Sequence, residues 1–244
     1  MQSQATGFSI IIPTYREVKN LPALITRLAS ALTSHAPFEL ILMDDNSQDG
    51  TTELIASLAP THPWLRLIQH QGERSWAGSV LQGIQAATYP LLVFMDADLS
   101  HPPEMIPAML LALQQTPTEL VIGSRYMKGG SIDKKWPLYR QLISRLSTLV
   151  IKPLLPVKIN DPLSGFIATQ KRFYTSHGQT WNPIGTKLAL EMIIKSHLKH
   201  IQEIPIHFAE REHGESKLLN KKVMLNYLTQ VKQLWQYKLI QLVK

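Results

Sequence analysis

The sequence predicts a single α/β domain in which helices cover both faces of a mostly parallel sheet. Its 244 residues are 44% hydrophobic, which is enough to bury one substantial core. Short apolar runs rich in β-branched and aromatic residues recur at 8–12, 38–43, 65–68, 91–95 and 119–122. Segments long enough for helices separate them, and this alternation is typical of a parallel sheet buried on both faces.

The connection between the first two runs shows a helical pattern. Apolar residues recur at helical spacing across 20–34, Asn20 stands where a helix-capping residue is expected, and Pro22 falls in the first turn. The segment 136–152 is predicted to be helical too, whereas 128–135 and 154–162 are predicted as loops from their glycine, proline and charge content.

Composition excludes several classes of protein. The chain has no cysteine, so a metal would be bound by oxygen or imidazole, and its 9 histidines do not show metal-ligand spacing. The N-terminal residues lack the basic flank of a signal peptide, and no run reaches the ~18 apolar residues of a spanning helix. We therefore expect a cytoplasmic protein that does not cross a membrane.

Charge is divided unevenly along the chain. Residues 1–122 carry 5 Lys+Arg against 11 Asp+Glu, whereas residues 123–244 carry 20 against 7. A basic half can bind nucleic acid, anionic headgroups or a phosphorylated substrate, or can simply be a solvated surface. Charge alone does not choose among these.

Paired carboxylates follow the fourth predicted strand, at the edge where ligands bind in an open parallel sheet. Asp96 and Asp98 come directly after 91–95. Two such side chains suit a hard cation such as Mg²⁺ or Mn²⁺ that also contacts a diphosphate. The alternative is an acidic pair that caps the helix expected after Pro102.

A second acidic pair, Asp44 and Asp45, follows the second predicted strand. A carboxylate there can accept hydrogen bonds from a ribose or a base, as at the nucleotide sites of doubly wound folds. The alternative is an ordinary turn, because the following residues favour turns.

Together the strand-end motifs resemble the family 2 inverting glycosyltransferases. The residues that carry this resemblance are Pro13, Tyr15 and Glu17, then 44–51 (DDNSQDGT) and 96–102 (DADLSHP). Three further motifs resemble the dolichyl-phosphate mannosyltransferases and their bacterial polyprenyl-phosphate counterparts: 123–126 (GSRY), 161–166 (DPLSGF) and 211–217 (REHGESK). The match runs from about residue 8 to residue 217, and it implies the GT-A fold, a Rossmann-like sheet that binds a nucleotide sugar.

The resemblance implies roles for particular residues. The donor would contact Pro13, Tyr15, Glu17, Met43, Asp45, Ala97, Arg211 and Lys217. The metal, Mg²⁺ or Mn²⁺, would be held by Asp96, Asp98 and Ser100, although some relatives have glutamine in place of Ser100. The catalytic set would be Asp98, Arg125, Arg140 and Ser144, the last two binding a lipid phosphate, with Asp161 in a supporting role. The segment 72–78 departs from the Gly-rich pattern of the family, and Trp76 narrows that loop.

The reaction implied is transfer of a mannosyl residue from GDP-mannose to a polyprenyl (dolichyl) phosphate, with inversion. A phosphate monoester is already ionised near pH 7, since its second pKa is ~6, so no dedicated base is expected. One alternative is a related family 2 enzyme that uses UDP-glucose or a glycan hydroxyl acceptor. Another is a non-catalytic nucleotide- or nucleic-acid-binding protein, but carboxylates at the strand ends would repel a nucleic-acid backbone, so no nucleic acid is expected as a partner.

The expected catalytic domain is 1–217, followed by an amphipathic helix over 218–244. The apolar stripe of that helix contains Met224, Leu228, Val231, Trp235, Leu239 and Leu242. Such a stripe suits either a headgroup layer or packing on the protein's own core, and 136–155 is a second candidate for membrane contact. We expect peripheral binding to the cytoplasmic face of a membrane, directly or through a small membrane-protein partner.

Overall fold

The computed structural model describes residues 6–35, 37–72, 75–134, 138–175, 181–182, 187–214 and 221–243, with 138–140, 222, 242 and 243 described by backbone alone. Within these residues the strands are β1 (Phe8–Thr14), β2 (Phe38–Asp44), β3 (Leu65–Gln69), β4 (Leu91–Phe94), β5 (Leu120–Ser124), β6 (Ser131–Ile132), β7 (Ile167–Gln170), β8 (Ile201–Pro205) and β9 (His207–Phe208). The α-helices are α1 (Leu21–Leu32), α2 (Thr51–Leu58), α3 (Trp76–Ala86), α4 (Ile106–Gln114), α5 (Leu138–Ile151), α6 (Arg172–Thr175), α7 (Leu188–Lys195) and α8 (Lys221–Val243).

The central sheet has the strand order β3-β2-β1-β4-β7-β5-β8. The pairs β1–β2, β2–β3, β1–β4 and β5–β8 are parallel, and β7 runs antiparallel to both β4 and β5. The five predicted apolar runs become β1 to β5, because strands buried on both faces need continuous apolar sequence.

Helices cover both faces of this sheet. Against one face lie Leu24 of α1 and Met109 of α4, in the same core cluster as Ile10 and Val93 of the strands. Against the other face lie residues of α3 and α7, in a second cluster that contains Ile11. The predicted class, an α/β fold with a mostly parallel sheet and helices on both faces, is confirmed.

Several local features differ from expectation. The antiparallel strand β7 was not predicted, and the expected loop 128–135 contains β6, which pairs with β9 in a small separate sheet. Helix α1 begins next to Asn20 as predicted, but Asn20 does not cap it. The Asn20 backbone is already helical, and its side-chain Nδ2 donates to Glu17 Oε2 at 2.6 Å instead.

Helix α8 packs on the protein with part of its apolar stripe. Val231 and Leu234 are buried against a cluster that includes Ile151 and Leu190. Leu228 and Leu239 of the predicted stripe, in contrast, are each 56% exposed. The stripe is therefore divided between the core and the surface. No helix in the described part of the chain is long and apolar enough to span a membrane.

The strand order locates the edge at which a ligand would bind. From β1 the chain moves outward through β2 and β3, then returns to place β4 on the other side of β1. Loops at such a reversal of strand order diverge beyond the carboxyl ends of the strands and leave a crevice. The residues that follow β1, β2, β4 and β5 therefore meet at one edge of the sheet.

Candidate active site at the strand ends

Asp96 and Asp98 follow β4 at this crevice, and their environments differ. Asp98 is buried, and its Oδ1 accepts from the Ser100 amide at 3.1 Å and from the Ser100 hydroxyl at 2.5 Å. Its Oδ2 forms an ion pair with Arg211 Nη2 at 2.7 Å. The side chain of Asp96 is 39% exposed. Asp98 is thus held rigidly, whereas Asp96 opens towards the crevice.

The helix-cap alternative for this acidic pair is not seen. The short 3₁₀ turn Pro103–Met105 that follows makes no side-chain cap hydrogen bond. His101 fixes the backbone of Asp96 instead, because its Nδ1 accepts from the Asp96 amide at 3.0 Å. Its ring stacks on Phe166, and burial lowers the pKa of His101, so the imidazole is neutral. Its 3.9 Å contact with Asp96 Oδ2 is accordingly not an ion pair.

The donor set at this position fits a hard divalent cation. Among the described residues no group of three or more His, Cys, Asp and Glu side chains surrounds a common point. Mg²⁺ and its analogues are commonly held by one or two carboxylates, with substrate phosphates and water completing the shell. Gly165 leaves space beside the exposed carboxylate, since a Cβ there would lie 3.7 Å from both Asp96 oxygens. Asp96 and Asp98 are therefore the residues that would hold a divalent metal beside a diphosphate.

The two members of the acidic pair after β2 make different contacts. Asp44 is buried and makes the turn, with Oδ2 accepting from the Ser47 amide at 2.9 Å. Asp45 pairs with His70, whose Nδ1 lies 2.7 Å from Asp45 Oδ1. Ordinary turn chemistry therefore accounts for Asp44, while the contact of Asp45 with a ribose or base stays a prediction.

His70 was not singled out by the sequence, and it is held tightly. Its side chain is 4% exposed, and its backbone amide donates to the Asp44 carbonyl at 2.8 Å. A Cβ at Gly78 would lie 2.9 Å from His70 Nε2, so the glycine at the start of α3 makes room for the ring. The segment that departs from the family's Gly-rich pattern thus packs against the residue that orients Asp45.

The resemblance implies that Asp45 contacts a nucleotide-sugar donor. We therefore predict that His70→Phe raises the KM for this donor about threefold to tenfold, because one hydrogen bond that orients the Asp45 carboxylate is lost. The KM for the acceptor should stay within twofold. Steady-state kinetics with each substrate varied in turn would measure both. His62→Phe is the matched control, because His62 lies in the turn after α2, and an equal effect there would contradict the assignment.

The remaining predicted donor residues that the structure describes lie around the same edge. Pro13 is half-buried at the end of β1, and Tyr15 and Glu17 are half-buried in the loop that follows. Met43 has no exposed surface, and Ala97 is buried between the two aspartates. Lys217 lies outside the described residues, and so does the side chain of Arg140. Their predicted contacts with a ligand remain predictions.

Arg125 follows β5 and is committed to Asp161. Its Nε and Nη2 donate to the two Asp161 oxygens at 2.7 and 2.8 Å, and its backbone amide donates to Oδ2 at 3.0 Å. Burial alone would lower the pKa of Arg125, but the hydrogen bonds to Asp161 outweigh it and the pKa is raised. Glu203 of β8 fixes the loop, because it accepts from the amides of Asn160 and Asp161 at 2.9 Å.

Lys187 is a further cation beside this pair that sequence reasoning missed. Its Nζ donates to the Leu163 carbonyl at 3.0 Å. Burial lowers its pKa, and so does the nearby charge of Arg125, while Asp96 and Asp161 act in the opposite direction. Asp96 and Asp161 therefore interact electrostatically with both Arg125 and Lys187.

Ser144 of α5 is brought to the same region by Tyr126. The Tyr126 hydroxyl donates to Ser144 Oγ at 3.0 Å. Two guanidinium groups lie near the ring of this tyrosine, with Cζ of Arg125 at 5.1 Å and Cζ of Arg145 at 6.0 Å from its centroid. The structure therefore brings the predicted residues Arg125 and Ser144 into one neighbourhood.

Comparison with known proteins agrees with this geometry. The profile of the family "Glycosyl transferase family 2" matches residues 9–178. This match, together with the mostly parallel sheet and the paired carboxylates where the strand order reverses, shows that the protein is a glycosyltransferase.

Relatives of established name narrow the class. A dolichol-phosphate mannosyltransferase of Mycosarcoma maydis is 39% identical over 97% of this chain and 81% of its own length. One from Saccharomyces cerevisiae is 38% identical over 95% of this chain and 88% of its own length, and one from Pyrococcus furiosus is 38% identical over 97% and 66%. The chain therefore belongs to glycosyl transferase family 2 and, within it, to the dolichol-phosphate mannosyltransferases.

Solved structures share the fold at much lower identity. Glucosyl-3-phosphoglycerate synthase from Mycobacterium tuberculosis, in complex with phosphoglyceric acid, aligns with a TM-score of 0.69 at 16% identity, over 94% of this chain and 80% of that chain. Its complex with Mn²⁺, UDP-glucose and glycerol 3-phosphate aligns with a TM-score of 0.67 at 16% identity, over 93% and 80%. At this identity the likeness supports the GT-A fold alone.

Proposed function

We propose that the protein transfers a mannosyl residue from GDP-mannose to a polyprenyl (dolichyl) phosphate, with inversion and with Mg²⁺ or Mn²⁺ bound. The observation that carries this proposal is the 39% identity to a dolichol-phosphate mannosyltransferase over 97% of the chain. The crevice has matching chemistry, because carboxylates that can hold a metal and cations that can hold a phosphate lie at one edge of the sheet.

The carboxylates serve the donor side. Asp96 and Asp98 would hold the cation, which when bound offsets the charge that develops on the departing diphosphate. These two carboxylates are preorganised, because Ser100 orients Asp98 and His101 fixes the backbone of Asp96. Arg211 already lies at Asp98, from where its guanidinium can contact the donor phosphates.

The cations serve the acceptor side. Among the described residues Arg125 Nη1 has no hydrogen-bond partner, while Nε and Nη2 are occupied by Asp161. Nη1 can therefore donate to an acceptor phosphate, together with Ser144 and Arg140. The phosphate oxygen attacks the anomeric carbon, its bond to the sugar forms, and the bond to the diphosphate breaks on the opposite face. Because the phosphate is already ionised, positioning and charge replace a general base.

The decisive experiment supplies purified protein with a polyprenyl phosphate, Mn²⁺ or Mg²⁺, and radiolabelled GDP-mannose or UDP-glucose in parallel. We expect label from GDP-mannose in the organic extract, abolished by EDTA. Label from UDP-glucose instead would overturn the donor assignment. If neither donor labels the lipid while one is still bound or hydrolysed, the acceptor is wrong and a glycan hydroxyl replaces it.

We further propose that the protein binds the cytoplasmic face of a membrane through α5. This helix bears Ser144 and exposes an apolar face made of Leu142, Leu146, Leu149 and Val150, each 53–62% exposed. Neighbours at steps of three and four share one side of a helix, so these side chains can enter a headgroup layer together. Helix α8 also exposes apolar residues, among them Leu225 and Leu228.

The double substitution Leu146→Glu with Leu149→Glu should weaken binding to phospholipid vesicles by at least about tenfold, since each buried leucine contributes roughly 1.5–3 kcal/mol. Co-flotation with vesicles containing polyprenyl phosphate would measure it. Leu111→Glu is the matched control, because Leu111 is similarly exposed, at 64%, but belongs to a different helix, α4. Failure of the unmodified protein to float would favour a membrane-protein partner over direct contact.

A further inference from the structure

Tyr126 lies where the sheet meets α5, and it touches both. It follows Arg125 directly after β5, and its hydroxyl donates to Ser144 Oγ across 18 positions of sequence. The proposed function assigns the acceptor phosphate to Ser144 and to Arg125, the residue that precedes Tyr126. Arg125 and Ser144 must lie close enough to contact one phosphate group together. The 3.0 Å hydrogen bond from Tyr126 to Ser144 fixes the distance between them.

The need for such a link follows from the exposure of α5. On the outward side of this helix Leu142, Leu146 and Leu149 are exposed, so little of that face packs on the protein. At the C-terminal end of α5, Ile151 is buried in the cluster that includes Val231 and Leu234 of α8. The Tyr126 hydroxyl thus joins the middle of α5 to the strand edge, beside the site.

The hydrogen bond also affects the chemistry of Ser144. A hydroxyl that accepts a hydrogen bond becomes a stronger donor through its own proton, because linked hydrogen bonds polarise one another. The ring of Tyr126 meanwhile has cations near it, since the guanidinium carbons of Arg125 and Arg145 lie 5.1 and 6.0 Å from its centroid. The Tyr126 side chain therefore orients Ser144 and lies near two positive charges.

We propose that Tyr126 is a positioning residue of the acceptor site, which acts through Ser144 to set the binding of the lipid phosphate. This inference rests on the proposed function and adds a residue to it. Among the described residues the Tyr126 hydroxyl bonds to Ser144 and not to Asp96 or Asp98, so the loss of this hydroxyl should change acceptor binding alone.

The test is Tyr126→Phe, which keeps the ring and removes only the hydroxyl. The KM for polyprenyl phosphate should rise about threefold to tenfold, the range of one hydrogen bond, while the KM for GDP-mannose stays within twofold. Ser144→Ala should raise the same constant. The KM of the double variant for polyprenyl phosphate should be about equal to that of the more impaired single variant, because both changes break one hydrogen-bonded unit. A merely structural effect would alter the melting temperature and both KM values together.

The matched control is Tyr174→Phe, the same chemical change at a tyrosine whose hydroxyl is buried without a partner among the described residues. Its kinetic constants should equal those of the unmodified protein. An unchanged acceptor KM in Tyr126→Phe, or effects that multiply with those of Ser144→Ala, would overturn the inference and leave the proposed function standing. Absence of transfer by the unmodified protein would overturn both.

Discussion

Asp98→Asn should lower the rate of transfer by roughly 10²–10³-fold, because the cation proposed to offset the charge on the departing diphosphate would be held less tightly. Asparagine keeps the size and the acceptor oxygen of the side chain but removes the negative charge that would hold the metal. Arg211 loses its ion-pair partner in the same step. Arg211 is partly exposed, so water can solvate it and the fold should survive. The measurement is labelled lipid formed per unit time at saturating donor.

Two controls separate the charge of Asp98 from its surroundings. Glu53→Gln removes an exposed carboxylate from α2 and should leave the rate unchanged. Ser100→Ala removes the hydroxyl that donates to Asp98. If Ser100 orients Asp98, the metal concentration for half-maximal rate should rise about tenfold or more, as when a residue that supports a metal ligand is lost. A rate within tenfold of the unmodified protein for Asp98→Asn would contradict its proposed role.

The sheet was predictable from sequence because its strands are short apolar runs, and such runs are required where a strand is buried on both faces. The strand β7 (IATQ) has no such signature, since two of its four residues are polar. It enters the sheet between β4 and β5 although it comes later than both in the chain. That insertion depends on tertiary packing, which local pattern does not encode.

The candidate site divides along the same line. Residues directly after a strand, such as Asp96 and Arg125, could be predicted because the strand itself fixes where they emerge. The side-chain pairs Asp45–His70 and Arg125–Asp161 could not be predicted, because their members are 25 and 36 positions apart in the sequence. Which loops meet is decided by strand order, and that order includes the unpredicted β7.

The C-terminal helix shows a different limit. An apolar stripe that packs on a core and one that enters a membrane have the same sequence spacing. The structure divides the stripe, with Val231 buried and Leu228 exposed. Helix α5, within the second candidate segment 136–155, also exposes an apolar face suited to membrane contact.

The largest expected effect on stability comes from Asp161→Ala. Asp161 is fully buried and accepts three hydrogen bonds from Arg125, whose side chain is 10% exposed. Removing one partner of a buried ion pair leaves the other charge uncompensated, which costs about 3–5 kcal/mol. Urea unfolding followed by circular dichroism would measure this loss. Transfer should also fall, because the guanidinium proposed to hold the acceptor phosphate is no longer oriented.

A matched pair on the surface supplies the control. Arg27 binds Glu104 in the same two-bond geometry, with both distances 2.8 Å, but the side chains are 39% and 52% exposed. Glu104→Ala should therefore cost less than about 1 kcal/mol, because water replaces the lost partner. A similar cost at both positions would mean that burial is not what makes the Asp161 pair important.

The double variant Arg125→Met with Asp161→Ala then separates stability from function. Removing both charges removes the uncompensated cation, so much of the lost stability should return. Activity should not return, since methionine cannot donate to a phosphate. Recovery of stability without transfer would identify Asp161 as the residue that keeps a buried guanidinium in place for the acceptor. Recovery of both would show that the pair supports the fold alone, and the acceptor phosphate would then have to be assigned to other cations of the basic half.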